Sequence, residues 1–496
     1  MLTLLNLENL PIPLQAERIT PIQSGYLLQG KTVALLHPFE QVRFYRHGWH
    51  SWSLTSWIPL PFDLQKPQPE IRWPMIDHPK LLADYPFTGS GVGALQAPDG
   101  KILLLGALGL DGFISADEIT LRGVYPYASP GLQVEWFLAY GEEQLVFAAY
   151  ADQLGQRLGV RCREHPPRVW CSWYGLYGDI YQDILLDALA GLSGLPFDVF
   201  QIDDGWQISL GDWQANAKFP NGMAWMAEKI QQAGLTPGLW LAPLAVAPAS
   251  SIYQQHPDWL LHGIDGRPLS AGHNWGDFFY GLDTTHPEVQ SWLYDLIETA
   301  RSWGYKYLKL DFLYAGAMPG VRYENIPAEQ AYRIGLEVIR QAAGDAYFLA
   351  CGSPIFPAIG LADALRVGSD VAPYWDNPER TINLHDLTGV GSLNAIRTAL
   401  HRLWLRPLID VDPDVAFFRT RFNLMFPEQS RLLQDLTQIA GFLATSDLPA
   451  WLDPHERQSL LDFLQASPKI VRLDRYRFQI NQRLVDFSFI EDVWRA

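Results

Sequence analysis

Apolar and polar positions follow two different patterns along this chain. Residues 1–160 contain short β-prone runs such as "KILLLGALGLDGFISA" and "GLQVEWFLAYG", which glycine, proline and aspartate interrupt, and a helical segment ends this region. From about residue 168, short apolar runs alternate with amphipathic helices. The pattern therefore changes from a β domain to an α/β domain, and "EHPPRV" (164–169) reads as the linker between them.

The second region predicts eight strands, each followed by a helix. We place the strands at 168–173, 197–203, 236–241, 305–311, 346–351, 364–369, 407–411 and 441–446. Helices are predicted at 286–303, where Thr285 and Glu288 have the spacing of a capping box, and at 328–343. This arrangement favours a (β/α)8 barrel over an open sheet, and the chain contains no GxGxxG or P-loop motif that would indicate the latter.

The last part of the chain returns to β alternation, as in "RLDRYRFQINQRLVDFSFIED". We therefore predict a multidomain α/β fold with a central TIM (β/α)8 barrel. An N-terminal β-sandwich occupies 1–160, the barrel 161–446, and a short C-terminal helix and β segment 447–496.

Charge and composition restrict the partners. The formal net charge is −17, which argues against nucleic acid or an anionic membrane surface, because both require basic patches. No apolar run reaches the roughly 18 residues of a membrane span, and the N-terminus lacks a basic n-region, so we expect a cytoplasmic protein. The cysteines are scattered without a CxxC pair, which suggests neither a disulfide framework nor a zinc site. Homo-oligomerisation is left open.

Acids stand at the ends of three predicted strands. Asp203 and Asp204 end the second strand, Asp311 the fourth and Asp370 the sixth. The active sites of such barrels lie at the carboxyl ends of the strands. We therefore expect these acids to meet at one mouth of the barrel.

Two basic residues share strand faces with these acids. Lys309 lies two positions before Asp311, and Arg366 lies four positions before Asp370. We expect Lys309 to keep Asp311 ionised, and the apolar "VAPYW" that follows Asp370 to raise its pKa. Two carboxylates in different environments are the equipment for glycoside hydrolysis.

The acids have two alternative interpretations. They could be helix caps, or Asp203, Asp204, Asp412 and Asp414 could hold a metal ion. We expect no metal and no cofactor.

Four motifs in order resemble glycoside hydrolase family 36, the α-galactosidases and raffinose-synthase relatives. They are "FQIDDGWQ", "YLKLDF", "CGSP" and "RVGSDVAPYW", and "GWHSWS" (48–53) resembles a stretch in the N-terminal β-sandwich of some members. The resemblance implies Asp311 as the nucleophile and Asp370 as the general acid/base. It also implies that Asp203 and Asp204 bind the hydroxyls on C4 and C6 of galactose.

The same resemblance implies further pocket residues, which are Lys309, Arg366, Trp206, Cys351, Gly352 and Trp173, with Trp49 or Trp52 reaching over the barrel mouth. The activity it implies is that of a retaining exo-α-galactosidase acting on terminal α-D-galactosyl residues of oligosaccharides. The alternatives are a raffinose-synthase-like galactosyltransferase, an α-N-acetylgalactosaminidase and a non-catalytic sugar-binding protein.

Overall fold

The N-terminal region consists of two antiparallel sheets. A computed structural model of the chain describes residues 2–7, 10–128, 133–376 and 386–494. Its first strands are β1 (Leu2–Leu7), β2 (Leu10–Gln15), β3 (Arg18–Ile22), β4 (Gly25–Gln29), β5 (Thr32–Leu36), β6 (Arg43–Arg46), β7 (Ser56–Pro59), β8 (Thr88–Ser90), β9 (Val92–Gln96), β10 (Ile102–Ala107), β11 (Phe113–Ala116), β12 (Thr120–Val124) and β13 (Glu135–Gly141). One sheet has the order β1-β2-β5-β12-β11-β8 and the other β3-β4-β13-β10-β9-β6-β7.

Strand β10 shows how this region joins the rest of the molecule. All of its residues are buried, and successive side chains point to opposite faces. Leu103 and Leu105 belong to the core between the two sheets. Ile102 and Leu104 belong to a second core that continues into the α/β region. A run of apolar residues without alternation is therefore what a strand covered on both faces requires.

The helices and the remaining strands follow in the order that the sequence predicts. The helices are α1 (Trp73–Ile76), α2 (Pro79–Ala83), α3 (Glu143–Leu158), α4 (Trp173–Leu176), α5 (Gln182–Gly191), α6 (Gly222–Gln232), α7 (Ser251–Gln255), α8 (Pro287–Ser302), α9 (Ala328–Ala343), α10 (Ile355–Ala358), α11 (Ser392–His401), α12 (Pro427–Ala440) and α13 (Pro454–Gln465). The strands are β14 (Val169–Cys171), β15 (Val199–Ile202), β16 (Gln207–Ser209), β17 (Asp212–Ala215), β18 (Thr236–Leu241), β19 (Ala245–Val246), β20 (Ser270–Asn274), β21 (Asp277–Gly281), β22 (Tyr307–Leu310), β23 (Tyr347–Ala350), β24 (Ala364–Arg366), β25 (Asp410–Asp412), β26 (Ala444–Thr445), β27 (Ile470–Arg472), β28 (Arg477–Ile480) and β29 (Arg483–Asp486).

Eight of these strands form one curled parallel sheet. Its order is β25-β24-β23-β22-β18-β15-β14-β26, so consecutive strands of the α/β region are neighbours and the last returns beside the first. Just beyond β25, the Ala416 N–H donates to the Ala444 carbonyl at 2.9 Å, which brings the two ends of the sheet together. The predicted fold class is confirmed, including antiparallel sheets at both ends of the chain, and each predicted strand overlaps an observed one.

One local prediction is wrong. Helix α8 begins after His286, whose ring accepts the Glu288 N–H, so His286 is the N-cap instead of Thr285. The Thr285 hydroxyl donates to Asp283 at 2.7 Å and accepts the Glu324 N–H at 3.1 Å instead of an N–H of the helix. Within the described ranges, no helix combines the length and the apolar character needed to cross a bilayer.

Candidate active site

The carboxyl ends of β15, β22 and β24 bring the predicted acids to one edge of the parallel sheet. Asp203 and Asp204 directly follow β15, Asp311 directly follows β22, and Asp370 lies in the loop after β24. Asp203, Asp204 and Asp311 are buried, whereas the Asp370 side chain keeps 30% of its surface exposed. The fold therefore places the four acids on the face of the barrel where the sequence predicts a site.

Asp203 is held by a buried ion pair. The Lys309 ammonium lies 2.9 Å from Asp203 Oδ2, and the Gln201 amide donates to the same oxygen at 2.5 Å. Burial opposes the charge of Lys309, but the Asp203 carboxylate overcomes this effect and holds the pKa of Lys309 well above its ordinary value. The sequence predicts that Lys309 serves Asp311, whereas the structure pairs Lys309 with Asp203.

Asp311 is oriented by other donors. The Trp240 indole N–H donates to Asp311 Oδ2 at 3.0 Å, and the backbone N–H of Phe312 donates to Asp311 Oδ1 at 2.8 Å. Phe312 adopts a left-handed conformation with φ of 50°. Two donors that act on different oxygens fix the plane of the carboxylate. Sequence reasoning missed Trp240, although its position near the end of the third predicted strand was a usable signal.

Asp370 shares one cation, Arg366, with two further acids. The Arg366 guanidinium lies 3.4 Å from Asp370, 2.9 Å from Asp412 and 2.9 Å from Asp414. Loss of hydration raises the pKa of Asp370 to about 7, the negative charge of Asp414 adds to this effect, and Arg366 opposes it. Asp370 therefore holds a proton at a pH where an ordinary aspartate does not.

Asp204 accepts a hydrogen bond at each carboxylate oxygen. The Gln207 amide donates to Oδ1 at 2.6 Å, and the Trp275 indole donates to Oδ2 at 2.6 Å. Burial raises the pKa of Asp204 above its ordinary value, and the two donors oppose that effect. Sequence reasoning missed Gln207 and Trp275. The former lies within the quoted "FQIDDGWQ" motif, whereas nothing in the pattern points to the latter.

Two of the predicted aromatic residues lie away from any accessible surface. Trp206 has no exposed surface, and its indole N–H donates to the Trp240 carbonyl at 3.0 Å, so it packs beneath the site instead of lining it. Trp49 is 2% exposed and donates to the Glu329 carboxylate at 2.9 Å, so it belongs to the interface between the β domain and the barrel. Neither residue lines the pocket, because each indole is buried and donates its N–H to an acceptor inside the protein.

The other predicted lining residues lie around Asp311 and the first strand. Gly352 has φ of 51°, and a Cβ there would come within 3.0 Å of Phe312 and of Trp52, so only glycine allows this contact. Cys351 is buried, and its N–H donates to the Leu310 carbonyl at 2.8 Å. Trp52 packs on Phe312 with ring centroids 5.0 Å apart. Trp173 is half-buried, as expected of a residue beside the opening.

Three of the four acids named as candidate metal ligands already have cationic partners, and the fourth, Asp204, accepts from two neutral donors. Asp412 and Asp414 neutralise Arg366, and Asp203 neutralises Lys309. Over the residues whose structure is described, no group of three or more His, Cys, Asp or Glu side chains has an arrangement suited to a metal ion. The arrangement instead provides two carboxylates in contrasting environments, which suits proton transfer and nucleophilic attack.

Comparisons with known proteins give a consistent result. The family model described as Melibiase matches residues 148–339. An α-galactosidase, AgaA of Geobacillus stearothermophilus, is 34% identical over 142 residues, which are 27% of this chain and 19% of that protein. Mel36A of Lactobacillus acidophilus, also an α-galactosidase, is 29% identical over 168 residues, or 32% of this chain and 22% of that protein. The aligned segments thus span about a fifth of these curated relatives.

Solved structures match over much more of the chain. An α-galactosidase from Thermus thermophilus in complex with p-nitrophenyl α-D-galactopyranoside is 48% identical, with 99% of this chain and 100% of that chain covered and a TM-score of 0.93. The structure of AgaA from Geobacillus stearothermophilus shares the fold at 16% identity, with 98% of this chain and 68% of that chain covered and a TM-score of 0.61.

Proposed function

Because this chain belongs to glycoside hydrolase family 36, we propose that it is a retaining exo-α-galactosidase that hydrolyses terminal α-D-galactosyl residues of oligosaccharides. The observation that carries the proposal is the contrast between the two acids at the barrel mouth. Asp311 is fixed by the Trp240 indole and a backbone N–H, whereas Asp370 has a pKa raised to about 7. A nucleophile and a proton donor need these different settings.

The reaction follows from those two settings. Asp311 attacks the anomeric carbon while the bond to the leaving oxygen breaks, and Asp370 gives its proton to that oxygen. A water molecule then returns a proton to Asp370 and attacks the same carbon, which releases Asp311 and galactose. Each displacement inverts the anomeric carbon, so the α configuration is retained.

Selection of galactose is assigned to the acids after β15. Asp203 and Asp204 present carboxylate oxygens, which accept hydrogen bonds from hydroxyl groups. A pocket built to bind a particular hydroxyl discriminates strongly against the sugar in which that hydroxyl points elsewhere. The Thermus thermophilus relative has also been solved in complex with stachyose, which supports an α-galactosyl oligosaccharide as the substrate class here.

The first experiment compares the rates at which the purified protein cleaves different aryl glycosides. We expect cleavage of the aryl α-galactoside well above the aryl α-glucoside and the aryl N-acetyl-α-galactosaminide, with loss of activity in Asp203→Ala. NMR should show α-galactose as the first product, before mutarotation. Comparable rates on galactoside and glucoside would contradict the sugar assignment, and β-galactose as the first product would contradict retention. Adding a sugar acceptor tests the transferase alternative, which requires transfer in preference to hydrolysis.

A further inference from the structure

The turn between β20 and β21 carries a residue that its backbone does not favour. Asn274 pairs with Asp277, so Trp275 and Gly276 form a two-residue hairpin turn, with φ of 53° and 82°. Positive φ at both central positions is the condition of a type I′ turn, for which Asn-Gly is the preferred sequence. A tryptophan is disfavoured in this left-handed conformation, because its Cβ crowds the backbone. The interactions that compensate this strain at the hairpin tip must therefore lie outside the turn.

Three of its contacts supply that reason, because they lead to the candidate active site. The indole N–H donates to Asp204 Oδ2 at 2.6 Å. The ring lies 4.8 Å from Phe312, the residue that follows Asp311, and 6.5 Å from Trp240, which donates to Asp311. Trp275 thus contacts Asp204 directly and packs near the two residues that donate to Asp311.

Trp275 is the more exposed partner of its hydrogen bond to Asp204. Asp204 retains only 6% of its surface, whereas Trp275 is 41% exposed. The hairpin is anchored from below, because the Tyr314 hydroxyl donates to the Ala271 carbonyl at 2.5 Å and Phe279 packs against Trp275 at 5.6 Å. The indole is therefore a fixed wall on the outer side of Asp204.

We propose that Trp275 is a specificity-determining residue that closes the non-reducing end of the sugar pocket and so restricts cleavage to terminal galactosyl residues. The inference rests on the proposed function, in which Asp204 binds the hydroxyl on C4 or C6, on the side of the ring remote from the bond that breaks. A free hydroxyl can donate to a remaining lone pair of the Asp204 carboxylate beside the indole. A group attached to that oxygen must enter the volume that the Trp275 ring occupies.

The test uses aryl α-galactosides that carry a methyl group on O4 or O6. Wild-type protein should cleave the unsubstituted glycoside and exclude at least one methylated form. In Trp275→Asn, kcat/KM for the excluded form relative to the unsubstituted one should rise about tenfold or more, since one buried methylene changes discrimination by ~10-fold to 200-fold. Trp275→Phe keeps the ring, so it should keep the exclusion while raising KM through loss of the bond to Asp204.

The variants are chosen to remain folded. Trp275→Asn creates the preferred Asn-Gly turn, so the hairpin should gain stability. Phe278→Ala is the matched control, because Phe278 is an exposed aromatic residue of β21 that packs on His273; it should leave the ratio unchanged.

Two results would overturn the inference. The first is wild-type cleavage of both methylated forms at rates like that of the unsubstituted glycoside, which needs no variant to be measured. The second is a Trp275→Asn protein that cleaves the unsubstituted glycoside but still excludes the methylated ones. Absence of wild-type activity on the unsubstituted α-galactoside would instead contradict the proposed function itself.

Discussion

Asp311 and Asp370 carry the same functional group in different surroundings. Asp311 accepts from the Trp240 indole and from the Phe312 backbone N–H, and these two donors orient its carboxylate. Asp370 faces the negative charge of Asp414 in a poorly hydrated setting, and its pKa rises to about 7. The roles of nucleophile and acid thus follow from the neighbours of each carboxylate.

Removal of the Asp311 carboxylate should stop turnover. We expect Asp311→Ala to lower kcat on aryl α-galactosides by roughly 10⁴-fold or more, because no covalent intermediate can form. Azide can then enter from the vacated face, and a single displacement should yield the β-galactosyl azide. Product analysis by NMR checks the configuration. A protein that retains activity after this substitution would remove Asp311 from the mechanism.

The pH profile should depend on Asp414. Cleavage of a galactoside with a poor leaving group requires protonated Asp370, so kcat/KM should fall as pH rises through about 7. The charge of Asp414 raises the pKa of Asp370. In Asp414→Asn that charge is absent and Arg366 interacts more strongly with Asp370, so the alkaline limb should move to lower pH. The measurement is kcat/KM against pH on an α-galactosyl disaccharide.

A matched substrate separates this electrostatic effect from damage to the site. An aryl galactoside with a very good leaving group needs little proton donation, so its alkaline limb should move less in Asp414→Asn. Equal shifts for both substrates, or a limb that stays in place for the disaccharide, would contradict the assignment of Asp370 as the acid.

At the scale of elements, strand order was predictable and side-chain partners were not. The eight strands follow from apolar runs, and the barrel order follows from their number and spacing. Their polar ends identified Asp311 and Asp370 as candidates. The partner of Lys309 could not be predicted, because strand spacing fixes the face on which a side chain lies but not which of two nearby carboxylates it reaches.

The site residues that the sequence did not predict include one in an insertion between strands. Trp275 lies on a hairpin between β18 and α8, and no periodicity in the sequence directs that hairpin back over Asp204. Trp49 shows the opposite case, since the "GWHSWS" motif was visible but its indole turns to Glu329. A motif identifies a loop, whereas packing decides which of its residues reaches the site.

The loop of residues 48–53 is held against the barrel by one buried cation. Arg402 donates from Nη1 to the carbonyls of Ser51 and Val367 at 2.8 and 2.9 Å, and from Nη2 to those of Gly48 and His50 at 3.0 and 2.9 Å. The same loop carries Trp52, which packs on Phe312. Arg402 therefore connects the position of an N-terminal loop to the residue after Asp311.

Loss of this cation should weaken both stability and activity. Arg402→Met leaves several buried carbonyls without a donor, which should destabilise the protein by roughly 3 kcal/mol. Thermal unfolding should show a lower Tm, and kcat/KM on an aryl α-galactoside should fall as Trp52 loosens. The exposed Arg406 in the same stretch provides the control, Arg406→Met. An Arg402→Met protein that matches this control in both measurements would contradict the role of Arg402.

Across the whole molecule, the β domain and the barrel meet at a pair of buried acids. The Glu329 carboxylate accepts the Trp49 indole at 2.9 Å and the Asp111 N–H at 2.6 Å, while Asp111 Oδ1 accepts the Glu329 N–H at 3.2 Å. Burial, and then the charge of Asp111, raises the pKa of Glu329 to about 8; burial raises that of Asp111 to about 6, with Arg322 opposing the shift. The interface thus favours protonated carboxyls.

This arrangement predicts that stability falls as pH rises. Between the ordinary carboxyl range and about pH 8, the folded protein binds more protons at Glu329 and Asp111 than the unfolded chain does, so each increment of pH favours unfolding. Asp111→Asn removes one titrating group and lowers the pKa of the other, so the decline of Tm between about pH 5 and pH 8 should become shallower, with the gain largest at the alkaline end. Asn also tolerates the φ of 61° at this position.

Differential scanning calorimetry between about pH 5 and pH 8 measures how steeply Tm falls with pH. The control is Asp187→Asn, on the exposed face of α5. Parallel Tm curves for wild type and Asp111→Asn would show that the interface does not titrate.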